Sequence, residues 1–354
     1  MSTRAAGLDA LLPLVEGRTL AMAHLARLLL AEGQAEQALD LCLRARAASP
    51  SDPELATLVA SILSTDVPSW HFRIVRDEAR NAAYDGALRR AIGPDSRVFE
   101  IGAGTGLLAM MAARAGAAAV VTCEANPVVA RMARDVIAAN GFADRVRVVA
   151  KHSTDVVETD LGGPADVLVS EIFSNDTVGE GAIPSIEDAR RRLTAADARV
   201  IPMRVRVVVA LASDQRLDRR TIGFVAGFDL SPFNAVASPS YQIPADAPRL
   251  SLRSQPATLL SFDYQRDRSF APQLESVALI PTGGPVNGVA QWVALDMDEH
   301  ETYEARPGAG VSSCWAVMFH PLPWLDRVVP GEAVVVSGRH DRQQLHLWAT
   351  PGDR

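Results

Sequence analysis

The chain is poor in cysteine and nearly free of lysine. Its three cysteines, Cys42, Cys123 and Cys314, stand far apart with no Cys-x-x-Cys spacing. That argues against a disulfide framework and against a zinc site, so no metal is expected, and it suits a reducing cytoplasm. No uncharged apolar run approaches the roughly 18 residues that a membrane span needs. No basic-then-apolar stretch opens the chain, and Leu11 to Val15 is too short an apolar run. A strongly basic surface is missing too. The net charge is −7, which argues against a nucleic-acid groove and suits a cationic substrate. Lys151 is the single lysine, and arginines carry the remaining basic charge amid abundant alanine, the usage of a GC-rich bacterial genome. Low-complexity tracts are absent, and 48% of the 354 residues are hydrophobic. A globular chain of two or three domains follows.

What is present begins with helices. Residues 18–63 read as a helical pair and the start of a third helix. Leu25, Ala26 and Leu29 precede Gly33; Ala38, Cys42 and Ala45 follow it, and Pro50 closes the unit. The spacing resembles one tetratricopeptide (TPR) repeat. One repeat cannot bury its own apolar face, so residues 1–66 are expected to dock on the rest of the chain, on a second subunit or on a partner. Residues 68–92 read as one helix. Strands at 97–101, 119–123, 145–150 and 166–171 then alternate with helices at 105–115, 127–139 and 184–195, and a strand at 199–211 completes the series. This predicts a Rossmann-like α/β domain with a parallel sheet over residues 67–204. Beyond it, short β-rich runs at 258–262, 275–279, 291–295, 315–319, 333–338 and 344–349 are separated by Pro and Gly. They predict an antiparallel β-barrel or sandwich over residues 205–354, interrupted by a partly helical insertion at 214–235.

Val98 to Gly106 is a strand running into the turn Gly102-Ala103-Gly104-Thr105-Gly106. A helix follows, then a second strand that ends in Glu124. Glycines let the backbone pass close to a ligand with no Cβ in the way. An acid about 20 residues on, at the tip of the second strand, is placed to grip two ribose hydroxyls. The same geometry serves dinucleotides and S-adenosylmethionine (SAM). Two features favour SAM. The spacing is Gly-x-Gly-x-Gly rather than Gly-x-Gly-x-x-Gly. Glu100 would repel a pyrophosphate but favour an amino or sulfonium group.

The segment Ser170-Glu171 to Glu180-Gly181 follows a strand at the carboxyl edge of the sheet, where ligands bind in this architecture. Two glutamates frame a loop of small, turn-forming residues. Paired carboxylates repel unless a cation sits between them. A planar guanidinium with forked donors fits such a pair. Spacing alone leaves open a pair of solvated loop acids.

With these motifs in order, the chain resembles the protein arginine methyltransferases over roughly residues 68–350. Trp70-His71-Phe72 and Asp77-Glu78-Ala79-Arg80-Asn81 with Tyr84 look like the family's SAM-covering helix. Glu100 to Gly106 and Glu124 look like its SAM site, and Lys151 to Asp155 like its adenine loop. Glu171 and Glu180 match its paired-glutamate loop, Gly227 to Ser231 a stretch of its dimerisation arm, and Leu260 to Asp263 a barrel strand. The loop is most similar to the divergent branch that includes monomethylating enzymes.

The resemblance implies SAM as cofactor, bound by His71, Phe72, Arg80, Glu100, Gly102, Gly104, Gly106, Glu124, Ala125, Ser153 and Thr154. Arg80 would pair with the SAM carboxylate, Glu124 would hold the ribose, and Ser153 and Thr154 would sit at the adenine. Glu171 and Glu180 would be the catalytic pair, clamping a guanidinium whose nitrogen attacks the SAM methyl in line. Trp315, Cys314 and Asp77 would face the acceptor. Here the chain departs from the family, which usually has Thr-His-Trp where this sequence reads Ser313-Cys314-Trp315. That histidine pairs with an acid at the position of Asp77. A cysteine cannot form the ion pair, so Asp77 must be satisfied otherwise. Trp315 either walls the acceptor pocket or packs in the core. His71 and His340 are the other histidines that stand out, structural in the first instance.

The paired glutamates argue for a guanidinium and against another small amine. Between free L-arginine and protein-bound arginine the residues decide little. The altered loop at Cys314 and the bacterial usage favour free arginine, as in bacterial relatives that methylate it in natural-product (antibiotic) biosynthesis, with N-omega-methyl-L-arginine as product. Two other readings stand: a catalytically silent scaffold whose helical segment binds a partner, and methyl transfer to a ribosomal protein or a small amine. The arm implies a homodimer. No nucleic-acid or membrane partner is expected.

Overall fold

The computed structural model describes residues 8, 10–65, 67–217, 222–308, 310–322 and 331–352. Residues 1–7, 9 and 66 of the predicted N-terminal segment and 218–221 of the predicted insertion lie outside the described residues.

After one helical turn at Leu12–Val15 come three longer helices: α1 (Thr19–Ala31), α2 (Ala35–Ala48) and α3 (Pro53–Leu63). Asp52 caps α3 by accepting from the N–H groups of Glu54 and Leu55, and Pro53 fills the first helical position. Leu25, Ala26 and Leu29 of α1, Leu41, Cys42 and Ala45 of α2, and Leu55, Val59 and Ile62 of α3 form one small core. The apolar face that such a unit leaves over is covered within the chain. Ala35 and Leu39 of α2 pack on Val128 and Met132 of the α/β unit, and Glu36 lies 3.6 Å from Arg134.

The predicted helix over 68–92 is two helices, α4 (Trp70–Ile74) and α5 (Glu78–Ala91). The break falls at Asp77, whose carboxylate accepts from the N–H of Arg80 and starts α5 afresh. Strands β1 (Arg97–Ile101), β2 (Ala119–Cys123), β3 (Val146–Val149), β4 (Ala165–Ser170) and β5 (Thr194–Ile201) form a parallel sheet in the order β3-β2-β1-β4-β5. Helices α6 (Leu107–Arg114), α7 (Pro127–Ala139) and α8 (Ala182–Arg192) connect them. The central strands β1, β2 and β4 are buried almost end to end, as a sheet covered on both faces requires.

The single strand expected at 199–211 is two. Pro202 lacks an N–H and ends β5, and β6 (Arg204–Asp214) begins the antiparallel half. Two short strands follow, β7 (Phe224–Val225) and β8 (Phe228–Asp229), then β9 (Tyr241–Ile243), β10 (Leu250–Leu252), β11 (Ala257–Asp263), β12 (Gln273–Leu279), β13 (Gly288–Asp296), β14 (Thr302–Glu304), β15 (Val317–Pro321), β16 (Val334–His340) and β17 (Leu345–Pro351). The main path is β10-β6-β13-β15-β9, with β11 on β6 and β14 on β13; β12-β16-β17 form a second ladder. These sheets curl into a half-barrel. Trp292 of β13, Phe262 of β11 and Phe319 of β15 are fully buried in its core. No helix of the described residues is long and apolar enough to cross a membrane.

Candidate active site

The glycine turn after β1, the tip of β2 and the loop after β4 meet at the carboxyl edge of the parallel sheet, where they open a cleft of about 380 Å³. Gly102, Gly104 and Gly106 take φ values of +85°, +50° and +81°, a region that favours glycine. Their purposes differ. A Cβ on Gly102 would lie 2.9 Å from Ile172, and one on Gly106 would lie 2.9 Å from Ile137 of α7. A Cβ on Gly104 would meet no protein atom within 4 Å. Gly106 therefore serves helix packing, whereas Gly104 keeps open a space that only a ligand would fill.

Glu124 closes the other side. Its Oε2 accepts from the N–H of Gly104 at 3.1 Å and its Oε1 from the N–H of Asn126 at 2.9 Å. Each oxygen keeps lone pairs for a hydroxyl. Arg80 Nε, Glu100 Oε2 and Ser153 Oγ are buried and have no partner among the described residues, and all three side chains line this cleft. Orphaned buried polar atoms are rare. Three of them beside a backbone cradle fit a nucleoside that carries a charged amino-acid tail. Burial pushes the Glu100 carboxyl up to about 8, so a nearby cation would be stabilising.

A second cavity of about 380 Å³ shares Trp70, Ile74, Glu171 and Glu180 with the cleft and adds Trp315, Cys314 and Met318 from the antiparallel half. Glu171 sits at the junction. Its carboxylate is buried and accepts from Arg80 NH2 at 2.7 Å. Burial raises it to about 7, against the pull of Arg80. Glu180 stands exposed on the rim in a left-handed conformation, φ +60°, backbone strain of the kind that clusters at functional loops.

The half-barrel holds this loop in place. Trp315 Nε1 donates to the Phe173 carbonyl at 2.7 Å, and the N–H of Ala316 donates to Asn175 Oδ1 at 2.8 Å. Gln291 Nε2 reaches the Asn175 carbonyl at 3.3 Å, and Gln291 Oε1 lies 2.8 Å from His320 Nε2. Burial lowers His320 to about 4, so it is neutral here. Trp315 thus both walls the cavity and packs against the loop.

Asp77, which the resemblance would set beside a histidine, is satisfied by other groups. Its Oδ2 accepts from Tyr303 OH at 2.5 Å and from the N–H of Cys314 at 2.9 Å, while Oδ1 caps α5. The Cys314 thiol is pushed up, first by burial and then by the charge of Glu171, and stays protonated.

The structure gathers most of the expected site residues on one continuous surface. His71, Arg80, Glu100, Gly102, Gly104, Glu124, Ala125 and Ser153 line the cleft. Glu171 and Glu180 line cleft and cavity alike, and Cys314 and Trp315 line the cavity. Four expected residues stand elsewhere. Phe72 is 62% exposed because α4 turns only Trp70, His71 and Ile74 toward the cleft. Thr154 is exposed and bonds His152 at 2.8 Å. Gly106 lies behind the turn, against Ile137. Asp77 touches neither space directly and acts through Tyr303 and Cys314. His340 is buried in the half-barrel against Phe262, away from the site. The sequence reading missed Tyr303, Asn175, Gln291 and Ile172. Their partners are remote in the chain, so no local spacing signals them.

Residues 86–178 match the family described as ribosomal protein L11 methyltransferase (PrmA). The arginine N(omega)-methyltransferase of Streptomyces achromogenes subsp. streptozoticus is 40% identical over 283 residues, covering 78% of this chain and 77% of that enzyme. Protein arginine N-methyltransferase 7 of Danio rerio is 32% identical over 318 residues. The match covers 79% of this chain but only 45% of that longer protein. Among solved structures, a Trypanosoma brucei protein arginine methyltransferase enzyme–prozyme complex with AdoHcy aligns with a TM-score of 0.68 at 20% identity, over 81% of this chain and 99% of that one. Arabidopsis thaliana protein arginine methyltransferase 10 aligns with a TM-score of 0.63 at 17% identity, over 79% and 96%. These two carry the likeness of fold, a parallel α/β unit followed by a curled antiparallel half-barrel. By sequence, this chain belongs to the arginine N-methyltransferase family.

Proposed function

We propose that this chain transfers a methyl group from SAM to a guanidino nitrogen of free L-arginine, giving N-omega-methyl-L-arginine. The observation that carries the reading is the place of Glu171 and Glu180: both line the nucleoside-shaped cleft and also the cavity beside it. A cation between these carboxylates faces the cofactor. SAM supplies an electrophilic methyl group on a sulfonium. Glu124 holds the ribose hydroxyls, Ser153 meets the adenine, and Arg80 meets the carboxylate of the cofactor tail. Glu171 and Glu180 grip the guanidinium, fix one nitrogen in line, and draw positive charge toward the others. Glu171, held near 7, is suited to take the proton that the nitrogen loses.

The Streptomyces relative, named for arginine itself, supports the small acceptor. The exposed Phe224, Phe228, Phe233 and Val236 around β7 and β8 support a homodimer through this arm. The N-terminal helices, with their TPR-like spacing, serve first as a buttress on α7. A reducing cytoplasm suits the three free cysteines.

The test is mass spectrometry after incubation with labelled SAM, with free L-arginine and an Arg-Gly-rich peptide in parallel. Label in free arginine alone supports the reading. Label in the peptide alone replaces it with a protein methyltransferase. No SAM affinity by calorimetry leaves a silent scaffold.

A further inference from the structure

Three spaces run together through shared walls. Trp70, Ile74, Glu171 and Glu180 belong to both the cleft and the acceptor cavity. Arg73, Gln242 and Trp315 belong to both the acceptor cavity and a third pocket of about 360 Å³, which neither glutamate reaches. Arg73 therefore stands at the end of the acceptor cavity that faces away from the cofactor. A guanidinium held by Glu171 and Glu180 directs the rest of its molecule toward Arg73.

The charges along this path alternate. Carboxylates crowd the inner end, where Asp176 joins the two glutamates. Arg73 is the cation shared by the two outer spaces, and Asp246 lines the third pocket beside it. Both are exposed, and neither makes an ion pair or a side-chain hydrogen bond among the described residues. Arg73 differs in this from Arg80, Arg90, Arg204 and Arg206, each of which is paired with a carboxylate. The short helix α4 aims it: Trp70 and Ile74 face the cleft and cavity, and Arg73 lies one turn from Trp70.

We propose that Arg73 recognises the α-carboxylate of free arginine, with Asp246 beside its α-ammonium group; this rests on the reading of Glu171 and Glu180 as the guanidinium clamp. A free amino acid presents a cation at one end and a carboxylate with an ammonium at the other, the sign pattern of this path read in complement. An arginine inside a peptide carries neutral amides in place of both terminal charges, so Arg73 and Asp246 gain nothing from it. A guanidinium fork meets a carboxylate in two parallel hydrogen bonds, which makes Arg73 a specificity-determining residue rather than part of the methyl-transfer chemistry.

The experiment compares L-arginine with agmatine, which keeps the guanidinium and the amine but lacks the carboxylate. In the unaltered enzyme kcat/KM should favour L-arginine by about 10- to 100-fold, the worth of one charge-assisted contact. In Arg73→Ala the KM for L-arginine should rise by a like factor, kcat should stay within about threefold, agmatine turnover should hardly move, and SAM affinity by calorimetry should be unchanged. Arg73→Lys should recover part of the loss. Asp246→Asn should raise KM for both compounds. Equal losses for L-arginine and agmatine in Arg73→Ala, or no loss for either, overturn the proposal while leaving the clamp reading standing. An unaltered enzyme that methylates neither compound but labels the Arg-Gly-rich peptide overturns the proposal and the free-arginine reading and leaves the clamp standing; one that labels none of the three overturns the clamp reading as well.

Discussion

Arg80 donates a 2.7 Å hydrogen bond to Glu171, and both side chains are about 95% buried. One residue lines the cofactor cleft, the other lines cleft and acceptor cavity together. The two sites thus share an ion pair, and a change at either partner is felt in both. Glu171→Gln is expected to lower kcat/KM for the guanidino acceptor by about a thousandfold or more, since a cation contact and the orientation of the nitrogen both go. SAM affinity should change far less. A variant that retains near-full turnover would mean that the methyl acceptor is not a guanidinium.

The pH dependence follows from two buried carboxyls. Glu171 is held at about 7 and Glu100 at about 8, each mainly by burial. Both bind a proton more tightly in the fold than in the unfolded chain. Their contribution to stability is full below the ordinary carboxyl value and is lost as the pH rises through 7 and 8. The melting midpoint of the ligand-free protein should therefore fall between about pH 5 and pH 9, and Glu100→Gln should flatten that slope. Activity should run the other way, because the proposed clamp needs an ionised Glu171: kcat/KM for the acceptor should rise through about pH 7. An acceptor profile that falls across neutral pH would remove Glu171 from the clamp.

Tyr303 OH donates a 2.5 Å hydrogen bond to Asp77. Tyr303→Phe should cost about 1–3 kcal/mol in urea unfolding, because a buried carboxylate loses a donor. Cys314→Ala should cost less, since it keeps the backbone N–H that donates at 2.9 Å and removes only a thiol, a weak donor to the same acid. The reverse order of the two would show that the thiol, rather than the phenol, satisfies the acid.

The three glycines of the turn make separable predictions. Gly106→Ala sets a Cβ 2.9 Å from Ile137 at φ +81°, so it should lower stability whether or not SAM is present. Gly104→Ala meets no protein atom within 4 Å. Its larger effect should be on SAM affinity, a loss of about tenfold or more by calorimetry. Unchanged SAM affinity in Gly104→Ala would place the cofactor elsewhere.

Phe224 and Phe228, on the paired strands β7 and β8, are 79% and 70% exposed, apolar surface of the kind that marks an interaction site. Sedimentation at micromolar concentration should give a dimer mass, and Phe228→Asp should shift it toward monomer. A monomeric unaltered protein would assign the patch to something other than a second copy.

Much of this was legible in the chain. Alternating apolar runs and helical spacings placed β1 to β4 to within a residue, whereas β5 begins at Thr194, five residues before the strand expected at 199. The glycine turn, the acid at Glu124 and the two glutamates of one loop are local patterns, and the structure sets them around one cleft. The misplacements have local causes as well. Asp77 restarts a helix that periodicity alone would continue. Phe72 sits between residues that face the cleft, but the turn of α4 points it outward.

The sequence by itself determined the order of elements, the backbone cradle and the kind of charge at the site, because these depend on residues near one another in the chain. Tertiary structure decided what holds that site and where it ends. Tyr303 reaches Asp77 across 226 positions, and Asn175 is fastened by Ala316 across 141. Arg73 of α4 lines one cavity with Gln242 and Trp315 because the half-barrel packs beside α4. Such pairings are set by how two sheets pack against each other, and no spacing along the chain encodes the distance between them.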